Sequence, residues 1–140
     1  MLSVTSQYAL RALTQLAALP EGEALLGRQL AKDCSIPPHY LTHIFVTLRN
    51  AGFVGATRGV HGGYRLLRRA GEIHLSDVIE LFEGSQDAPG CFLYSERPCG
   101  RGAELCLAHP AWEKVQTAYV QFLKSTTLAN IAPSAAKEIP

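Results

Sequence analysis

The sequence predicts a mainly α fold with one small β wing and a long C-terminal helix. Three observations predict it. Apolar residues recur at helical spacing in five separate stretches. A short turn joins the second stretch to the third. The period shortens to that of strands only around a cluster of glycines at Gly59, Gly62 and Gly63.

Each element follows from its residues. Residues 4–19 read as a helix through Ala9, Ala12, Leu13, Leu16 and Ala17, stopped by Pro20-Glu21-Gly22. A shorter helix fits Leu26 to Cys34, with Leu30 and Ala31 inward. Ser35-Ile36-Pro37-Pro38 then breaks the chain, because a residue preceding proline is pushed out of the helical region. Pro38 suits the first turn of the next helix, where a missing N–H costs nothing. Leu41, Ile44, Phe45 and Leu48 form its apolar stripe, and Gly52 its left-handed stop. The opposite face carries His39, Thr42, His43, Val46, Thr47, Arg49 and Asn50. Two helices joined by a tight turn, the second polar outside, make a helix-turn-helix.

Phe53-Val54 and Tyr64-Arg65-Leu66-Leu67 are strand candidates around the glycine turn, which makes the turn a wing. Leu75, Val78, Ile79 and Phe82 mark another helix, with Ser76 as its expected N-cap and Gly84 as its stop. Residues 85–109 lose all periodicity. From Pro110 a last helix places Trp112, Val115, Tyr119 and Phe122 on one face, with Thr126 next in line. The chain divides into a winged helix-turn-helix over 1–84, a cysteine-containing loop over 85–109, a dimerisation helix over 110–131 and a frayed tail over 132–140. No internal repeat is evident.

Composition narrows the function. With 140 residues, 47% of them hydrophobic and 18% charged, the chain has the make-up of one globular domain rather than a disordered one. No apolar run approaches the roughly 20 residues that span a bilayer, and the N-terminal segment lacks an export pattern, so a cytoplasmic location is expected. In that compartment the four cysteines are thiols, metal ligands or redox sensors rather than disulfides. The net charge of +1 conceals an asymmetry. Residues 28–69 hold seven basic side chains (Arg28, Lys32, Arg49, Arg58, Arg65, Arg68, Arg69) against Asp33 alone, a window of +6 in a chain otherwise at −5. A basic face on a repellent body suits a polyanion such as DNA.

Leu41, Leu48, Ala51-Gly52, Arg58-Gly59 and Gly62-Gly63-Tyr64 resemble the signature of the Rrf2 superfamily of bacterial regulators, over roughly residues 1–131. Three cysteines ahead of a Trp-bearing helix are similar to its iron–sulfur branch, of the IscR and NsrR type. The resemblance implies a homodimer that binds an iron–sulfur cluster, with two or four irons, and whose DNA binding follows the cluster's state. Two departures stand out. The wing reads Gly59-Val60-His61-Gly62 where many relatives have Gly-Pro-Gly-Gly, and the cysteine spacing is longer than the commonest one in the branch.

The candidate metal ligands run Cys91-x7-Cys99-x6-Cys106-x2-His109. Thiolate and imidazole are the donors that iron–sulfur clusters and zinc prefer. Zinc, a metal-free thiol switch and a cluster compete here, and the lack of a Cys-x2-Cys pair weakens zinc. His109 is either the fourth ligand, as the resemblance implies, or a cap of the helix before Pro110. Where other relatives place an acidic ligand in the first helix this chain has Tyr8, which reads as aromatic packing. Cys34 reads as core.

His39, Thr42 and His43 are expected to face base edges in the major groove of a near-palindromic duplex, with Arg49 also on the DNA-binding face. Arg58, Gly59 and His61 belong to the wing at the flanking groove, and Arg65, Arg68 and Arg69 to phosphates. The Trp112, Val115, Tyr119 and Phe122 stripe is expected to be the homodimer contact. Enzyme readings find no glycine-rich nucleotide motif and no catalytic triad or carboxylate pair. An iron–sulfur electron carrier or cluster-transfer protein would account for the cysteines but leaves the basic winged unit without a role.

Overall fold

The computed structural model describes residues 2–60, 62–84, 91–93 and 107–132. In order these form α1 (Val4–Ala17), α2 (Gly27–Cys34), α3 (Pro38–Asn50), β1 (Val54–Thr57), β2 (Gly63–Leu66), a 3-10 turn (Ala70–Glu72), α4 (Leu75–Glu83), α5 (His109–Ser125) and α6 (Leu128–Ile131). The mainly α architecture with a two-stranded antiparallel wing is the one the sequence predicts.

α1 starts where the Ser3 side chain accepts the Ser6 amide at 3.1 Å, which satisfies an otherwise orphaned helix donor. It ends at Ala17, two residues early, because Leu19 precedes Pro20 and is held out of the helical region. α3 begins on Pro38 and is closed by Gly52 at φ +82. Its stripe of Leu41, Ile44, Phe45 and Leu48 is fully buried with Leu13, Leu30, Val54 and Val78 in one core between α1, α2, α3 and α4.

β1 pairs with β2 in the register Val54↔Leu66 to Thr57↔Gly63. Phe53, expected in the first strand, stands just outside it. Its amide closes back onto the Leu48 carbonyl of α3 at 3.0 Å, while its carbonyl accepts from Leu67. A third segment joins the wing through an isolated antiparallel bridge between Leu25 and Tyr64. There the Tyr64 amide donates to the Leu25 carbonyl at 2.7 Å and the Leu25 amide donates back at 3.0 Å.

Two expectations at helix ends are corrected. α4 is capped by His74 and not by Ser76, because the Asp77 carboxylate accepts the His74 amide at 3.0 Å and draws the helix start forward. The last helix begins at His109 and stops at Ser125, since Thr126 turns extended. The chain then folds back. Thr127 forms an antiparallel bridge with His74, and α6 seats Leu128, fully buried, beside Ile73. Ala132, expected in a frayed tail, is buried and hydrogen-bonded to Leu128, whereas 133–140 lie outside the described residues.

Candidate nucleic-acid interface and cysteine segment

The turn between α2 and α3 is as tight as its sequence demands. Ser35 takes the left-handed conformation at φ +56, which lets the Ile36 amide return to the Ala31 carbonyl at 2.9 Å. Ile36 is buried, and Pro37 and Pro38 launch α3 directly. The wing is locked to this unit from two sides. Tyr64 stacks on Phe45 of α3 with ring centroids 4.2 Å apart and planes within 10°. Its backbone holds Leu25 ahead of α2. A rigid recognition helix and a rigid wing are what a groove reader requires.

On α3, His39, Thr42, His43 and Arg49 are all exposed, as expected. Their geometry separates them. His39, His43, Val46 and Asn50 stand at i, i+4, i+7 and i+11, the centre line of the face opposite the buried stripe. Thr42 and Arg49 flank that line. Thr42 donates its hydroxyl to the Pro38 carbonyl at 3.1 Å, which leaves its methyl and the acceptor side of its oxygen for a ligand. His39 and His43 also line a cavity with Thr5, Tyr40, Thr47 and Phe82, between α3 and the ends of α1 and α4. Tyr8 sits edge-on to Tyr40 at 6.0 Å with Arg11 over its ring, the aromatic packing expected of it.

Arg58, Gly59 and Val60 form the exposed wing tip, Val60 at 93% exposure, while His61 lies outside the described residues. Arg28, Lys32, Arg49, Arg58, Arg65 and Arg69 are exposed, and among the described residues none of them pairs with a carboxylate. Arg68, grouped with them in the sequence, differs. Its guanidinium donates to the Ala51 carbonyl at 2.9 Å and lies 4.2 Å above the Phe53 ring. It ties the end of α3 to the wing and is not a free cation.

Of the expected metal ligands, Cys91 is buried and His109 is the first residue of α5, half-buried. Cys99 and Cys106 lie outside the described residues. Ala108, not His109, holds the capping position, and among the described residues no side-chain capping bond is made there. Phe92 meets Trp112 at 5.2 Å, which places the Cys91 segment against the first turn of α5. Among the described residues no three metal-binding side chains come together. The donor set of three thiols and an imidazole does fit an iron–sulfur cluster or zinc by its chemistry.

Along α5 the expected stripe divides. Tyr119 packs on the core beside buried Leu123, and Gln116 is buried too. Val115 and Phe122 stay 48% and 43% exposed, and Trp112 is half-buried against Phe92. Among the described residues no helix is long and apolar enough to cross a membrane.

The model of the Rrf2 family, described as iron-dependent transcriptional regulator, matches residues 2–134. The chain belongs to the Rrf2 family. A relative named as an HTH-type transcriptional regulator of Mycobacterium tuberculosis is 33% identical over 143 residues, covering 98% of this chain and 84% of its own. IscR of Vibrio atlanticus is 30% identical over 130 residues, covering 93% and 73%. Among solved structures, CymR of B. subtilis, named the global cysteine regulator of that organism, superposes with a TM-score of 0.73 at 30% identity, covering 94% and 95%. IscR of T. potens gives 0.70 at 26% identity, covering 94% and 85%. This Rrf2 chain is thus similar both to IscR proteins and to a cysteine regulator, and these relatives are named as regulators.

Two features of this Rrf2 member escaped the sequence. Val46 and Asn50 face outward and stand at the centre of the exposed α3 face, a position that their spacing from His39 and His43 signals. Glu83 was the other. As the last residue of α4 it accepts from Ser3 and Ser6 at the start of α1, directly ahead of residues 85–90. No spacing rule links positions about eighty residues apart in the chain.

Proposed function

We propose that this chain is a cytoplasmic, homodimeric, sequence-specific transcriptional regulator whose DNA affinity follows the state of its cysteine segment. The observation that carries the reading is the alignment of an exposed α3 face with a wing held to it by the Tyr64–Phe45 stack, both rimmed by exposed basic side chains that pair with no carboxylate among the described residues. α3 enters the major groove, Arg58 and the wing tip reach the flanking groove, and Arg65 and Arg69 meet phosphates.

Cys91, Cys99, Cys106 and His109 would hold an iron–sulfur cluster, which when bound supplies redox-active iron open to oxidants or nitric oxide. The chain's own contribution is mechanical. Cys91 is tied to α5 through Phe92 and Trp112, and the same segment leaves α4 at Glu83, which grips α1. A change that orders or frees this segment therefore bears on both the partner-facing helix and the DNA-reading unit. A second reading, a metal-free thiol switch on the same cysteines, draws on the likeness to CymR, one structure of which is of an oxidized form.

One experiment addresses both levels. Duplex affinity is measured against salt with protein purified without oxygen, alongside its visible and EPR spectra. Affinity should fall steeply with salt, and Arg58→Ala should weaken it by about 1–3 kcal/mol. The protein should be brown, and Cys91→Ala should bleach it. Salt-independent binding defeats the DNA reading. A colourless protein with one zinc per chain defeats the cluster, and a colourless, metal-free protein whose affinity changes on oxidation leaves the thiol switch.

A further inference from the structure

The centre of the α3 reading face holds an aliphatic side chain that the fold does not need. Val46 is 52% exposed, while the buried stripe of α3 is complete in Leu41, Ile44, Phe45 and Leu48. Valine is unfavourable at such a position twice over. It leaves apolar surface in water, and its β-branch loses rotamer freedom in a helix. Its neighbours sharpen the point. His39, His43 and Asn50 surround it on the same face, and Thr42, one turn earlier, has its hydroxyl bound to the Pro38 carbonyl. The Thr42 methyl and the Val46 methyls together make an apolar step inside a polar, basic surface.

In the major groove one base-edge group is apolar, the 5-methyl of thymine. Asparagine, next along the face at Asn50, is the side chain suited to adenine through its N6 and N7 edge. We infer that Val46 is a specificity-determining residue, seated with the Thr42 methyl on the 5-methyl of a thymine in each half-site. The inference rests on the reading of α3 as a groove-entering helix and commits that helix to an A·T pair beneath its middle turn.

The test uses the full-length protein and a duplex selected by it from a random pool. Each thymine is replaced in turn by deoxyuridine, which removes the methyl and leaves the pairing edge intact. At one thymine per half-site the wild-type protein should lose about fourfold in affinity, the worth of one buried methyl-sized group. Replacing that thymine in both half-sites should cost on the order of 15-fold, the two losses multiplying. Val46→Ala should lose a comparable amount on the thymine duplex and nothing further on the uracil duplex, because the contact is already gone. Val46→Ile, which keeps a branched apolar side chain, should keep the thymine preference. Alanine favours the helix at this exposed site, so loss of fold does not obscure the result. If Val46→Ala keeps the wild-type ratio between thymine and uracil duplexes while binding stays salt-steep, the inference falls and the DNA reading stands. If the wild type selects no duplex from the pool, the DNA reading itself falls.

Discussion

Cys34 shows how one side chain can carry a cysteine's chemistry and yet be inert. It closes α2 at 7% exposure, inside the core shared with α1 and α3, and Arg11 donates to its carbonyl at 3.2 Å. Burial pushes its thiol up from the ordinary value of 9.0, Asp33 adds to the rise, and Arg11 opposes it. The folded state therefore favours the neutral thiol. That preference contributes fully to stability below pH 9.0 and is lost as pH rises through the higher folded value, because the unfolded chain ionises first. In native protein at about pH 8, alkylation of Cys34 should run no faster than global unfolding, since the thiolate is the reactive form. Peptide mass mapping after timed iodoacetamide treatment checks this. Modification at the rate of an unfolded peptide would show that Cys34 is a reactive thiol and not core. Slow alkylation would keep Cys34 outside the sensing chemistry proposed for Cys91, Cys99 and Cys106.

At the scale of an element, the wing depends on backbone positions that admit no side chain, and Gly63 is one of them. Gly63 opens β2 at φ +136, and a Cβ there would meet the Leu25 carbonyl oxygen at 2.3 Å and its carbon at 2.4 Å. The neighbouring Tyr64–Leu25 hydrogen bonds need that close approach, and Tyr64 in turn carries the stack on Phe45. Gly63→Ala should thus cost about 3 kcal/mol or more in chemical denaturation, combining backbone strain with a broken bridge. A loss under about 0.5 kcal/mol would mean that the wing is not bonded to Leu25 as described. The sequence made this element legible, and α3 with it, because glycine clusters and an unbroken i, i+3, i+4, i+7 stripe are local signals. What it concealed depends on contacts distant in the chain. α6 exists because Leu128 finds Ile73, His74 outcompetes Ser76 as a cap because Asp77 reaches back to its amide, and Phe53 leaves the strand because α3 takes its N–H. Arg68 looked like its basic neighbours until Ala51 and Phe53 were placed beneath it.

At the scale of the whole molecule, the proposed dimer would have α5 serve two bodies at once. Tyr119 and Leu123 pack into the core of the winged unit and Gln116 is buried, whereas Val115 and Phe122 remain exposed along the same helix. Large aromatic and aliphatic side chains left in water on a long helix favour a second copy as their cover, and closed twofold pairing is the commonest solution. A twofold dimer also presents two α3 helices to half-sites about one helical turn, roughly 34 Å, apart. The assignment makes opposite demands on adjacent residues. Phe122→Glu should leave each chain folded, because that side chain lies outside the core, yet give a monomer mass in light scattering at about 10 μM. Leu123→Glu should instead unfold the chain, since it buries a charge in the core. DNA affinity of the Phe122 variant should fall by at least about 10²-fold, because two half-sites must then be bound separately. A Phe122→Glu protein that keeps its dimer mass would place the twofold contact on another surface. The cysteine segment, tied to Trp112 at the start of α5, would then have to act on the spacing of the two reading helices by a route other than this helix.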